Sequence, residues 1–172
     1  MTLFPRSLEE WYKPFTKEEK TWFILAFIVA IILAATTVGW FLIDPYHQVP
    51  IESYAISPSM FDKLATTFAN LYKDKIIPED VDVYIVAHQF YFTPSKIILK
   101  KGVTYRIHIS SADVLHGLSI IGKDGTVYNL MIMPGMAYVI HIIFDKAGIY
   151  DIHCNEYCGS GHHLMTATIE VV

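Results

Sequence analysis

The chain has 172 residues, of which 53% are hydrophobic and only 17% are charged, and its formal net charge is −4. A soluble domain usually carries about a quarter charged residues, so this composition predicts that part of the chain lies in a membrane. The weakly acidic charge argues against nucleic acid as a partner, and two cysteines exclude a disulfide-rich scaffold.

A transmembrane helix is predicted between residues 21 and 43, where the run TWFILAFIVAIILAATTVGWFLI contains no charged residue. About 20 apolar residues cross the hydrocarbon core of a bilayer as a helix. Trp22 and Trp40 lie near its two ends, where an aromatic belt places tryptophans. A cleaved signal peptide is the alternative, but its apolar core is normally only about 7–15 residues long.

The distribution of positive charge predicts how this helix is oriented. Residues 1–20 contain four basic residues, whereas Lys63 is the first basic residue after the helix. The positive-inside rule therefore places residues 1–20 in the cytoplasm and the chain after Asp44 outside. In a bacterium this predicts a single-pass protein of the inner membrane with a periplasmic C-terminal domain.

The remainder of the chain divides into a predicted connector, residues 44–80, and a predicted β-domain, residues 81–172. Apolar residues recur at helical spacing over 59–73, which predicts an amphipathic helix lying on the membrane surface or on a partner. After Val81 the spacing changes to period two, and short strands separated by turn residues indicate a β-sandwich or barrel. The strand candidates are 81–92, 96–101, 103–110, 118–121, 126–132, 137–143, 149–153 and 166–172.

The loop between the last two strand candidates has the spacing C-x3-C-x3-H-x2-M, formed by Cys154, Cys158, His162 and Met165. Two thiolates, an imidazole and a thioether are soft ligands, and such a set favours copper. A further ligand is expected from a distant histidine. His116 is the best candidate, because it is expected in a turn-like loop that a β-sandwich could bring to the same end.

Three alternatives compete with a dinuclear copper site. The two cysteines could form a disulfide in an oxidising compartment. Zinc is a second alternative, although zinc rarely uses methionine. A mononuclear blue-copper site is a third, but it uses one cysteine, so the second cysteine argues for two coppers.

Together, the ligand loop, the segment Ser111–His116, the single membrane helix and the β-domain resemble subunit II of cytochrome c oxidases, which carries a dinuclear copper centre called CuA. The resemblance implies a mainly β, cupredoxin-like domain, and the single helix is similar to the B family of haem–copper oxidases. Both sulfurs would bridge the two coppers, each imidazole would terminate one copper, and the thioether would be a weak axial ligand beside His116. The implied metal ligands are His116, Cys154, the backbone carbonyl of Glu156, Cys158, His162 and Met165.

The resemblance also implies a function. Electrons would pass from cytochrome c to CuA and then to haem, which lies only in subunit I, where oxygen is reduced to water with proton pumping. The implied partners are subunit I, cytochrome c, a small additional membrane subunit and membrane lipid. In A-family proteins a glutamate at the position of Glu156 also reaches a magnesium ion, whereas B-family proteins have glutamine, so a second metal stays open.

Two further residues acquire expected roles from the resemblance. In the run Ala87-His88-Gln89-Phe90-Tyr91-Phe92, Phe90 takes the place of an A-family tryptophan that receives the electron from cytochrome c; packing into the core is the alternative. Glu19, in Glu19-Lys20-Thr21-Trp22, takes the place of a B-family glutamate at the mouth of the proton path; a solvated surface charge is the alternative.

Other functions are less compatible with the motif. Copper-delivery proteins also have a C-x3-C pair, but they resemble thioredoxin-like folds, and their third ligand lies far downstream. Subunit II of quinol oxidases is related but would lack the cysteines. Six further histidines are expected to lie outside the site, namely His47, His88, His108, His141, His153 and His163.

Overall fold

A computed structural model describes residue 9 and residues 14–43, 52–123 and 125–172. The chain divides into two compact units, residues 1–45 and residues 46–172. Each unit is described by itself.

The first unit contains helix α1, Lys17–Ile43, which is 27 residues long. It begins four residues before the predicted start because Thr16 and Glu19 form a capping box. Glu19 Oε2 accepts a hydrogen bond from the Thr16 N–H at 2.7 Å, and Thr16 Oγ1 accepts one from the Glu19 N–H at 3.2 Å. No residue of α1 is buried, and the helix is long and apolar enough to cross a membrane. The predicted apolar helix is thus confirmed, and its orientation stays a prediction.

In its described residues, the second unit is a sandwich of two five-stranded sheets with strand orders β1-β8-β5-β2-β3 and β4-β10-β9-β6-β7. The predicted mainly β-sandwich is therefore confirmed. Neighbouring strands are antiparallel except for the pairs β2–β5 and β4–β10. The strands are β1 Glu52–Ala55, β2 Val83–His88, β3 Tyr91–Thr93, β4 Lys96–Leu99, β5 Thr104–Ser111, β6 His116–Gly122, β7 Val127–Ile132, β8 Met136–Ile143, β9 Gly148–His153 and β10 Thr166–Val171.

The core lies between the inner faces of the two sheets, where apolar side chains alternate with outward-facing residues along each strand. Tyr105 is the largest fully buried side chain in the described part of the chain. Its hydroxyl donates to the Ile77 carbonyl at 2.9 Å and accepts from the Lys100 N–H at 3.1 Å. The polar end of this buried ring is thereby satisfied, which burial requires.

The strand candidate 81–92 is a hairpin and not one strand. Strand β2 ends at His88, the chain turns at Gln89 and Phe90, and β3 begins at Tyr91. No glycine marks this turn, so the apolar pattern runs through it without a break. Strand β1, in the expected connector, was not predicted; it pairs with β8 at the edge of its sheet.

Helix α2, Pro58–Leu71, confirms the amphipathic helix predicted for 59–73. Ser57 caps it by accepting a hydrogen bond from the Met60 N–H at 3.3 Å. The expected location on a membrane or partner is wrong for the apolar face, because that face packs on the domain's own sheet. The buried residues of this contact are Phe61 and Ala65 of the helix with Val86 and Ala137 of the sheet.

Candidate metal centre

The predicted ligand loop, residues 154–165, connects β9 to β10 at one end of the sandwich. Its two ends are held together, because the Cys154 N–H donates to the Met165 carbonyl at 3.1 Å and Thr166 pairs with His153 in the strand ladder. A short 3-10 helix, His162–Leu164, turns the chain back toward β10. Ligands from both ends of the loop therefore converge.

Cys154 and Cys158 lie at the centre of the site as two free, buried thiols. Their Sγ atoms are 3.9 Å apart, whereas a disulfide bond is about 2.0 Å long. The disulfide alternative therefore does not describe this structure. A metal–thiolate bond is about 2.3 Å long, so two sulfurs that share one ion lie at most about 4.6 Å apart, and the pair fits that limit.

Each of the two histidines lies beside a different cysteine sulfur. His116 Nδ1 lies 3.7 Å from Cys154 Sγ, and His162 Nδ1 lies 3.7 Å from Cys158 Sγ. Within the part of the chain that the structure describes, His116, Cys154 and Cys158 form the only group of three or more His, Cys, Asp or Glu residues whose ligand atoms all lie within 4.8 Å of one another, and His162 is outside it. Each sulfur thus has its own imidazole.

Two further donors flank the sulfurs. Met165 Sδ lies 3.9 Å from Cys158 Sγ, and the Glu156 carbonyl accepts a hydrogen bond from the Cys154 thiol at 3.2 Å. All six predicted ligand residues are therefore brought to one place. His116 is the first residue of β6 and does not lie in a loop, although the bend that leads into β6 immediately precedes it.

Asp113 fixes the orientation of the His116 ring, because its Oδ1 lies 2.8 Å from His116 Nε2. An N–H at Nε2 leaves the Nδ1 lone pair directed toward Cys154. Burial opposes the charge on Asp113, but hydrogen bonds from His116 and from the Gln89 and Val114 N–H groups outweigh it and lower the pKa of the carboxyl. Asp113 was not predicted as a functional residue, although its D-x-x-H spacing from His116 is visible in the sequence.

The Cys158 thiol favours its neutral form. Burial and the adjacent Cys154 sulfur raise the pKa of the Cys158 thiol to about 11. Metal coordination requires thiolates, so a cation has to compensate the charge of two buried sulfurs in contact. Soft sulfur and nitrogen donors gathered in this way fit copper.

Phe90 lies against the ligand loop, half-buried at the β2–β3 turn. A Cβ added to Gly161 would lie 2.5 Å from the Phe90 ring, and one added to Gly159 would lie 2.9 Å from it. The neighbouring Gln89 joins both ligand segments, since its N–H donates to Asp113 Oδ2 at 2.7 Å and its side-chain amide donates to the Cys158 carbonyl. Gly159 and Gly161 therefore make room for this ring.

The remaining histidines that the structure describes lie outside the donor set, as predicted. His88 contacts Asp62 at 3.0 Å and stacks on Tyr91, while buried His108 contacts the Tyr54 hydroxyl at 2.9 Å. His153 and His163 are exposed, and His141 is half-buried. His47 lies outside the described residues.

Comparison with known proteins gives concordant matches. Residues 61–172 match the family model described as cytochrome c oxidase subunit II, periplasmic domain. Two proteins of Thermus thermophilus named cytochrome c oxidase subunit 2 are 36% identical over 94 residues, which make up 55% of this chain and 67% and 54% of theirs. The chain thus matches between about half and two thirds of their length.

Two further matches extend over nearly the whole chain. Quinol oxidase subunit 2 of Sulfolobus acidocaldarius is 24% identical over 161 residues, 90% of this chain and 95% of that protein. One chain in a cryo-EM structure of a heme-copper terminal oxidase dimer is 25% identical, with a TM-score of 0.60 over 91% of this chain and 100% of its own.

Proposed function

The chain belongs to the cytochrome c oxidase subunit II family, and we propose that it is the subunit through which electrons enter a terminal oxidase. In this proposal a dinuclear CuA centre takes electrons from cytochrome c. Subunit I contains the haems, reduces oxygen to water and pumps protons. The chain itself carries no oxygen chemistry.

The observation that supports the CuA centre is the arrangement of donors around two sulfurs 3.9 Å apart. One imidazole and a carbonyl approach Cys154, and another imidazole and a thioether approach Cys158. A mononuclear blue-copper site uses two histidines but only one cysteine, so it is the second sulfur that favours two coppers. When bound, the copper pair would supply a one-electron redox centre. Met165 would supply a thioether ligand to this copper pair.

The protein contributes rigidity to this centre. The ladder between β9 and β10 fixes both ends of the ligand loop, and Asp113 fixes the His116 ring. Ligands that are held in place before reduction move little after it, which lowers the cost of electron transfer. The scaffold is a β-sandwich, so the thioredoxin-like fold expected of a copper-delivery protein does not fit this chain.

Phe90 is proposed as the residue through which electrons reach the centre. Its ring touches the ligand loop at Gly161 and is only half-buried, so it joins the site to solvent. Tyr157 and Leu164 of the same loop are 78% and 69% exposed. Large exposed apolar residues beside a redox site provide a contact surface for cytochrome c or subunit I.

The remaining partners also belong to the proposal. Helix α1 would cross the inner membrane once, with the N-terminus in the cytoplasm and the β-domain in the periplasm. It would contact lipid, subunit I and a small additional membrane subunit. Glu156 belongs to no group of three or more His, Cys, Asp or Glu ligands in the described chain, so a magnesium ion there would take its further ligands from subunit I.

Copper loading tests this function directly. We expect the reduced full-length protein in detergent to bind two copper ions per chain and to give the EPR pattern of one electron shared by two coppers. Copper content and EPR should be measured after a weak chelator removes surface ions, with protein alkylated at both cysteines as the control. A stoichiometry of one copper with a mononuclear spectrum would refute the dinuclear centre.

A second test concerns Glu19, proposed as the proton-path entrance at the start of α1. Because glutamine also completes a capping box, Glu19→Gln removes the charge and preserves the helix start. We expect this variant to slow oxidase turnover and proton uptake severalfold without changing the rate of CuA reduction. Glu18→Gln is the matched control. Equal turnover in both variants and the parent would show that Glu19 only caps the helix and takes no part in proton uptake.

A further inference from the structure

Asn155 occupies the position between the ligands Cys154 and Glu156, and its side chain reaches β7, the edge strand of the sheet that also contains β9 and β10. Its amide Nδ2 donates to Asn129 Oδ1 on β7 at 3.0 Å. Asn129 stands opposite Ser119 in the β6–β7 ladder, three positions along from the pair formed by His116 and Ile132. The ligand loop is thus fastened by a side chain to a strand that contributes no ligand.

Gly117, which has no side chain, leaves the space that the Asn155 side chain occupies. A Cβ at Gly117 would lie 1.8 Å from Asn155 Oδ1, 2.9 Å from Asn155 Cγ and 2.9 Å from the Glu156 backbone nitrogen. Because Gly117 follows His116 directly, the loop rests on the residue next to the distant ligand. Any side chain there would push the loop outward, since real Cβ contacts do not reach these distances.

These two contacts complete the restraint on the chain from 154 to 156. At one end the Cys154 N–H is bound to the Met165 carbonyl, and in the middle Asn155 is held by Asn129 and Gly117. The Glu156 carbonyl is therefore directed at Cys154 Sγ, 3.2 Å away. A free side chain at 155 would let this peptide rotate.

We propose that Asn155, seated on Gly117 and bonded to Asn129, is a positioning residue that sets the Glu156 carbonyl and the Cys154 sulfur for the metal. The inference rests on the proposed copper function, because it assigns a task to a residue that is not itself a ligand. Outer residues that orient ligands typically change metal affinity by about 10- to 100-fold when they are replaced.

The test compares Asn155→Ala, Asn129→Ala and Gly117→Ala in the full-length protein in detergent. We expect copper affinity, measured by competition with a chelator, to fall roughly tenfold or more in each variant, with a changed visible spectrum. Asn70→Ala, on the exposed side of α2, is the matched control and should behave like the parent. Asn129→Ala leaves the ligand loop itself intact, so it separates positioning from local misfolding.

A second readout needs no copper. In the metal-free protein Cys154 is buried, and loosening the loop should make the thiols react severalfold faster with a disulfide reagent. If the parent binds no copper, the proposed function fails, and the thiol rates still decide the inference. Parental copper affinity, spectrum and thiol rates in both asparagine variants would overturn it.

Discussion

Replacing either cysteine by serine is expected to abolish the copper centre. In the structure both sulfurs occupy the middle of the donor set, and each is paired with a different imidazole. Loss of one sulfur therefore removes a ligand that both metals are proposed to share, and a serine hydroxyl is a hard, weakly acidic substitute. We expect Cys154→Ser and Cys158→Ser to lose the two-copper EPR signal completely.

Met165→Leu is the control for this comparison, because an axial thioether tunes a copper site and does not hold the metal. That variant should keep both coppers and shift the reduction potential. Copper content, EPR and thermal unfolding of the metal-free proteins should be measured side by side. An unchanged spectrum in either serine variant, with a folded domain, would contradict the bridging role.

The ligand set was predictable because its chemistry is concentrated in sequence. Four donors occur within twelve residues, between two apolar strands, so the loop and its scaffold could be inferred together. His116 required only the geometric argument that a sandwich brings loops to one end. The structure brings all of these residues together, although it places His116 at the start of β6.

The residues that support the ligands were harder to predict, because they act through contacts between distant segments. Asn129 and Asn155 are 26 positions apart, and periodicity contains no information about such a pair. Helix α2 illustrates the same limit: its amphipathic pattern predicted an apolar face, but not that Val86 of β2 and Ala137 of β8 would provide a sheet surface for it.

Glu19 shows that one pattern can serve two purposes. The spacing Thr16-x-x-Glu19 is a capping-box signature, and the structure contains the reciprocal hydrogen bonds. Glu19 was predicted from the family resemblance as a proton-path residue, and its capping role was not predicted. Both roles are compatible, because a capping carboxylate at a helix start is also accessible to water.

The β2–β3 turn contacts both ligand segments. A substitution in this turn, at Phe90, is therefore expected to have the second large effect. Gln89 bonds to Asp113 on one segment and to Cys158 on the other, and it presents Phe90 to the glycines of the loop. A ring in this position is in contact with the metal loop and remains half-exposed. The turn therefore combines support for the centre with a route to it.

Phe90→Ala is expected to slow electron transfer from cytochrome c in the assembled oxidase about tenfold, equal to about 1.4 kcal/mol in activation free energy, while copper content stays unchanged.

Gly161→Ala should act on the same contact from the other side, since its Cβ would lie 2.5 Å from the Phe90 ring. Such overpacking typically costs about 1–3 kcal/mol of stability, and the double variant should recover part of it because the ring is gone. Ser160→Ala, exposed in the same loop, is the control. Stopped-flow reduction of the oxidase and thermal unfolding measure the two effects, and a parental rate of reduction in Phe90→Ala would mean that electrons enter elsewhere.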